Sequence, residues 1–128
     1  MYKKIPVIAL EEHYWDKELA AQLQGAEGSR SEDLLKRLYD VGELRLKEMD
    51  EAGIDIQVLS HGAPSAQKLD PAIAVDLTKR VNDRLAQAIS RHPTRFAGFA
   101  ALPTAHPEAA AREVERCENV LNMEKAVI

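Results

Sequence analysis

A glutamate and a histidine one residue apart, Glu11-x-His13, close a short apolar run, Ile5-Pro6-Val7-Ile8-Ala9-Leu10, and are the pair in this sequence best suited to chemistry. Side chains alternate between the two faces of an extended strand, so Glu11 and His13 are expected on one face and Glu12 on the other. A carboxylate oxygen and an imidazole nitrogen brought together suit Zn²⁺ or another divalent ion, with bond lengths of about 2.0–2.2 Å. Two ligands alone hold a metal weakly, and the same spacing also describes a histidine that hydrogen-bonds at a strand end. The pattern leaves both readings open. Cys117 is the only cysteine, so neither an intrachain disulfide nor a cysteine-built zinc site can form, and any metal must rest on His and carboxylates.

Other candidates are weaker. His61 follows a second apolar run and precedes the turn residues Gly62-Ala63-Pro64, which makes it either a substrate contact or acid–base group, or an exposed loop histidine. Trp15 follows the Glu/His pair and either walls a pocket for an aromatic substrate or packs over the strand ends. His92 and His106 each precede a proline at a helix boundary and read as terminus residues. Cys117 falls on an apolar helical stripe with Ala110, Val114 and Leu121, the position of a core residue and not of a nucleophile. The charges at 112–118 read as a solvated helix face.

The elements that must position these residues follow from periodicity. Residues 5–10 read as a buried strand, 16–24 as a short helix and 25–31 as a polar loop. Ser29 and Glu32 form a capping-box pattern, predicting a helix that starts near residue 31, bends at Gly42 and stops at Gly53. Residues 54–60 read as a second strand. Asp70-Pro71 opens a long amphipathic helix with Ile73, Leu77, Val81, Leu85 and Ile89 as its apolar stripe, ending at His92-Pro93. A third strand over 95–102, a helix opened by residues 104–107 and a fourth strand from residue 125 complete a βαβαβαβ series. That series is the signature of a parallel sheet, open or part of a (β/α)₈ barrel, carried by a single domain over residues 1–128.

Composition removes several classes of function. The 128 residues carry 17 Lys+Arg against 21 Asp+Glu, a net charge of −4, with no basic cluster, which argues against a nucleic-acid or anionic-membrane surface. No apolar stretch approaches the roughly 20 residues of a membrane span, and the basic start meets Glu11-Glu12 before any signal-peptide core, so a cytoplasmic protein is expected. A G-x-G-x-x-G after the first strand and a Walker P-loop are both absent, which removes the dinucleotide and P-loop readings.

The stretch Ile8-Ala9-Leu10-Glu11-Glu12-His13 resembles the first strand of the amidohydrolase-related metal-dependent decarboxylases, the group of γ-resorcylate, 2,3-dihydroxybenzoate and aminocarboxymuconate-semialdehyde decarboxylases. Further segments match in order: Arg45-Leu46-Lys47-Glu48-Met49-Asp50 with Gly53-Ile54-Asp55, Val58-Leu59-Ser60 leading to Ala63-Pro64, and Ala86 to Pro93 with Arg95-Phe96-Ala97-Gly98-Phe99-Ala100-Ala101-Leu102-Pro103. A departure lies at Ser60-His61-Gly62, where the family often has a small polar residue or Asn.

The resemblance implies the N-terminal portion, about half, of a (β/α)₈ TIM barrel of the metal-dependent hydrolase type. It also implies a divalent metal, Zn or Mn, with Glu11 and His13 as the first two ligands. The family adds a His from near the fifth strand and an Asp from the eighth, neither of which this chain supplies. The implied activity is a carboxy-lyase acting on a small, aromatic carboxylic acid. The alternatives are a hydrolase of the same superfamily, or a non-catalytic half-barrel that self-associates or pairs with the missing C-terminal half. The 128-residue chain by itself is expected to be inactive.

Overall fold

The computed structural model describes residues 4–23, 25 and 29–123. Three parallel strands, β1 (Ile8–Tyr14), β2 (Ile56–His61) and β3 (Phe96–Gly98), lie side by side in chain order. Helices α1 (Lys17–Ala21), α2 (Glu32–Tyr39) and α3 (Glu43–Ala52) connect the first two strands. A 3₁₀ turn (Ser65–Lys68) and α4 (Pro71–Arg91) connect the second and third, and α5 (Pro107–Asn119) follows. The expected fourth strand from residue 125 lies outside the described residues.

The first strand begins later than its apolar run predicts and continues through the charged residues. Asp55 causes the late start: its carboxylate accepts the Val7 N–H at 2.8 Å while Val7 O accepts from the Asp55 and Ile56 N–H groups, so the ladder proper opens at Ile8 opposite Ile56. The helix predicted over 31–53 is two helices. Asp40 Oδ1 accepts the N–H groups of Gly42 and Arg45 at 2.9 and 3.0 Å, capping α3 from upstream and separating it from α2. The cap of α2 is Ser31, whose Oγ accepts the Leu34 N–H, and not Ser29. Gly53 ends α3 as expected, at φ 73°, a left-handed conformation that favours glycine.

Asp70 caps α4 and Pro71 occupies its first turn, as the sequence predicts. The buried stripe differs from the four-residue series: it is Ala74, Leu77, Thr78, Val81, Asn82, Leu85 and Ala88, with Ile73 exposed. A series of four-residue steps rotates by about 40° per step on a helix of 3.6 residues per turn, so its first member turns away from the core. The third strand is shorter than expected because Asn82 replaces a strand partner. Its amide donates to Ala101 O at 2.9 Å and accepts the Ala101 N–H at 2.8 Å, satisfying that backbone from α4.

All the helix-side apolar residues converge on one face of the sheet. Tyr14, Met49, Leu59, Leu85, Phe96 and Cys117 form the main cluster, and Leu19, Leu77, Val81 and Ala101 anchor a second one under the 3₁₀ turn. On β1, by contrast, Ile8 and Leu10 are exposed. Among the described residues, no helix is long and apolar enough to cross a membrane.

Candidate metal and substrate site

The alternation that predicts Glu11 and His13 on one face is interrupted. Ala9 pairs with Gln57 and Glu12 with Leu59, so β1 carries one more residue than β2 between those points, and Glu11 has φ 58°. Beyond this bulge the alternation resumes. The Glu12 carboxylate accepts from Gln57 Nε2 at 3.3 Å and Tyr14 is buried in the core, while Glu11 and His13, on either side of Glu12, are both exposed. The bulge therefore re-aims the strand end where chemistry is expected.

His13 Nδ1 lies 3.1 Å from Ser60 Oγ on the neighbouring strand, which leaves Nε2 as the nitrogen available to a metal. The donor set, one carboxylate and one imidazole, fits a divalent ion of borderline or hard character. It is only part of a site: among the described residues, no group of three or more His, Cys, Asp or Glu could hold a metal.

The strand end is braced from behind. Arg45, buried on α3, donates from Nη2 to His13 O at 3.2 Å and to Arg37 O at 3.0 Å, from Nη1 to Gln57 Oε1 at 3.1 Å, and from Nε to Asp40 O at 2.7 Å. Burial pulls its guanidinium below the ordinary arginine value, and the charges of Glu12, Asp40 and Glu48 act in the opposite direction. Gln57 does not stand out in sequence, and Arg45 does so only as the first residue of a segment that carries the resemblance, with no role attached. The available signal is an arginine one helical turn before the buried Met49.

His61 is on the other face. Its Nε2 accepts the Asp16 N–H at 2.9 Å, which places the proton on Nδ1, where it donates to Gly62 O at 3.0 Å. Burial pulls the His61 imidazole below its usual value, consistent with this neutral form, even though Asp16 and the Gly62 carbonyl act against it. Both nitrogens are committed to backbone and the residue is buried, so the exposed-loop reading does not describe it, while its ring still borders the cavity at the strand ends. His61 is a buried, backbone-bonded histidine.

Trp15 is buried too. It packs so closely on Gly62 that a Cβ there would lie 2.6 Å from the indole nitrogen, the Arg30 guanidinium sits 4.3 Å over its ring, and Tyr39 meets it edge-on. It borders a cavity on the helix side with Tyr39, Val41 and Arg84, and is not among the residues around the His13–Ser60 cavity. Its contacts are packing contacts with Gly62, Arg30 and Tyr39.

A corner missed in the sequence lies beside it. Asp16 caps α1 through the Glu18 and Leu19 N–H groups, and takes two hydrogen bonds from Arg84 at 2.6 and 2.9 Å. Burial alone would raise the Asp16 carboxyl, but the Arg84 and N–H hydrogen bonds outweigh it and hold the group below the usual carboxylate range. A capping Asp ahead of a helix was the legible signal; the arginine 68 residues away was not.

The remaining candidates take structural places. His106 is tied through Nε2 to Pro71 O at 2.7 Å, and His92 ends α4 with its ring against Phe96. Burial pushes the Cys117 thiol up to about 12, helped by Glu113, so it is an inert core group. The charged face of α5 is solvated except at Glu113, which is buried and held by Asn82 and Arg116.

The cavity at the strand ends measures about 170 Å³ and is bordered by His13, Ser60, His61, Pro64, Gln67 and Phe99 among others. It offers an apolar wall and a few polar groups, the usual make-up of a small-molecule site.

No family model matches the chain. Individual proteins do. It is 42% identical over 123 residues to the γ-resorcylate decarboxylase of Polaromonas sp. strain JS666 and 41% identical to that of Rhodococcus jostii RHA1, in each case over 94% of this chain. It spans 38% and 37% of those two relatives, and the matched part is N-terminal. Among solved structures, a dihydroxybenzoic acid decarboxylase from Polaromonas sp. JS666, with bound manganese and the inhibitor 2-nitroresorcinol, aligns at TM-score 0.84 and 40% identity over 96% of this chain and 38% of its own. The 5-carboxyvanillate decarboxylase of Sphingomonas paucimobilis aligns at TM-score 0.87 and 31% identity, over 98% of this chain and 43% of its own. The three strands and their helices are thus the N-terminal portion of a TIM-barrel architecture of the amidohydrolase type.

Proposed function

We propose that this chain, with the sequence and fold of the N-terminal part of the amidohydrolase-related metal-dependent decarboxylases, supplies the first-strand ligands of a carboxy-lyase acting on a small aromatic carboxylic acid. The observation that carries this reading is the exposed Glu11/His13 pair at the C-terminal end of the first strand, beside a small cavity, in a fold matched to manganese-bearing decarboxylases. Functional groups of such barrels gather at that end of the strands. Glu11 and His13 Nε2 are the atoms that would hold the metal, manganese by analogy with the relatives and zinc by the same donor chemistry. A divalent ion bound there supplies a Lewis acid to substrate oxygens.

This chain's own residues would do the rest by positioning. Ser60 fixes the His13 ring from Nδ1, and Phe99 with Pro64 offers an apolar wall for an aromatic ring. The test is CO₂ release from 2,6-dihydroxybenzoate and 2,3-dihydroxybenzoate with Mn²⁺ or Zn²⁺. The 128-residue chain alone is expected to show no turnover, since both the remaining ligands and a proton donor are needed. A protein that also carries the remaining strands is expected to turn over and to lose that activity in Glu11→Ala and His13→Ala. Full activity in Glu11→Ala would refute the reading, and metal-dependent cleavage of an ester or amide substrate by a protein that releases no CO₂ from these acids would move it to the hydrolases of the superfamily.

A second reading rests on the exposed apolar residues in and just before β1. Ile5, Val7, Ile8 and Leu10 present a hydrophobic surface that further polypeptide would cover, either the rest of a barrel or a second copy of this chain acting as a self-associating half-barrel. Light scattering of the purified 128-residue chain distinguishes them: a stable monomer at micromolar concentration would remove self-association.

A further inference from the structure

We propose that Arg45 is a positioning residue for the Glu11-x-His13 strand end, setting the geometry of the two metal ligands from the opposite, helix-covered side of the sheet; this rests on the metal-binding reading above. The argument begins with the cost of burying this side chain. Its guanidinium is nearly enclosed, and among the described residues its hydrogen-bond partners are three carbonyls and one amide oxygen, the Glu12, Asp40 and Glu48 carboxylates acting on it only through their charge. A buried charge satisfied only by neutral groups is a poor source of stability. What the fork does achieve is a link between the end of α2, the side chain of Gln57 on β2 and the main chain of His13.

The link falls where β1 most needs one. Tyr14 O accepts the Gly62 N–H that follows β2, so the carbonyl of His13, one residue earlier, points to the other edge of the strand. Arg45 Nη2 donates to that carbonyl, so the main chain of a ligand residue is held by a side chain from α3. The second arm passes through Gln57, which accepts from Arg45 and donates to Glu12. One guanidinium therefore holds the backbone of one ligand and the side chain of the residue between the two. It does so directly after Glu11, whose left-handed φ of 58° needs support from its surroundings. Arg45 has no route to a metal or substrate itself, so its effect runs through His13 and Glu12.

The test is Mn²⁺ binding by a protein that carries this chain together with the remaining strands, read from the electron paramagnetic resonance of the free ion. Four proteins are compared: wild type, Arg45→Met, Arg45→Lys and Asn82→Ala, each shown to be folded by circular dichroism. Asn82→Ala serves as the control for simple destabilisation because the hydrogen bonds it removes go to Ala101 and Glu113 and not to β1. Arg45→Met is expected to weaken Mn²⁺ roughly 10-fold, the usual effect of losing a partner that orients a ligand, with Arg45→Lys intermediate and Asn82→Ala at the wild-type affinity. If Arg45→Met does not fold, a weakening in Arg45→Lys that Asn82→Ala lacks carries the same conclusion. Wild-type affinity in both Arg45 variants, or equal weakening in Asn82→Ala, would overturn the proposal. His13→Ala is measured alongside: if it binds Mn²⁺ as wild type does, the metal reading itself has failed, and the proposal with it.

Discussion

His13 and His61 stand on adjacent strands at the same end of the sheet, one residue out of register, and the protein uses them in opposite ways. His61 faces the helices, is 8% exposed, and gives both nitrogens to backbone groups. His13 faces away from them, is exposed, and keeps Nε2 uncommitted. The same division runs along the sheet: Leu59 is fully buried on the helix side, whereas Leu10 on β1 is 66% exposed. Residue type does not separate structure from chemistry here. Which face a residue takes, and how many backbone groups claim it, does.

The sharpest way to break the comparison is at the core. Leu59→Ala is expected to cost about 2–5 kcal/mol of unfolding free energy in urea denaturation, because the fully enclosed site cannot collapse around the lost atoms. An effect below about 1 kcal/mol would mean that the helix-covered face is not the packed one.

Asp16→Ala is expected to cost roughly 2 kcal/mol, the sum of a lost helix cap and of buried donors left unpaired. Its pH signature has a definite sign. The Asp16 carboxyl is held below its unfolded value of about 3.9, so its contribution is complete above that pH and is lost as pH falls through the lower, folded value. Urea titrations between pH 5 and pH 2 should show an acid-side loss that is smaller in Asp16→Ala.

His61 sharpens the contrast between the two histidines. Its folded value is depressed below about 6.5, so the unfolded chain binds the extra proton and stability declines as pH falls below that point, levelling off once the folded state also protonates. His61→Asn should flatten that part of the stability–pH curve. An unchanged slope would show that His61 is not the buried neutral group described above.

The smallest effect is expected on the open face. Leu10→Ser should change the stability of the monomeric chain by less than about 0.5 kcal/mol, the range of ordinary surface substitutions. A larger loss that grows with protein concentration would reveal that this face is covered by another copy.

Elements dictated by local signals were legible from residue types and spacing. Asp70-Pro71 starts α4 because capping and a preset φ act within one turn, Gly53 ends α3 because it tolerates a left-handed φ, and three apolar runs separated by helices determine a parallel sheet. The Glu11/His13 pair was visible for the same reason, as a spacing within one strand. Its presentation was not, because the bulge at Glu11 arises from the pairing of β1 with β2, and a single extra residue there is enough to break a period of two. The assignment of His61 to the scaffold, the burial of Glu113 and the reach of Arg45 and Arg84 to β1 and Asp16 likewise depend on partners 31 to 68 residues away. Such contacts are satisfied or refused only when packed elements bring their donors and acceptors to within hydrogen-bond distance, which is why tertiary structure alone decided them.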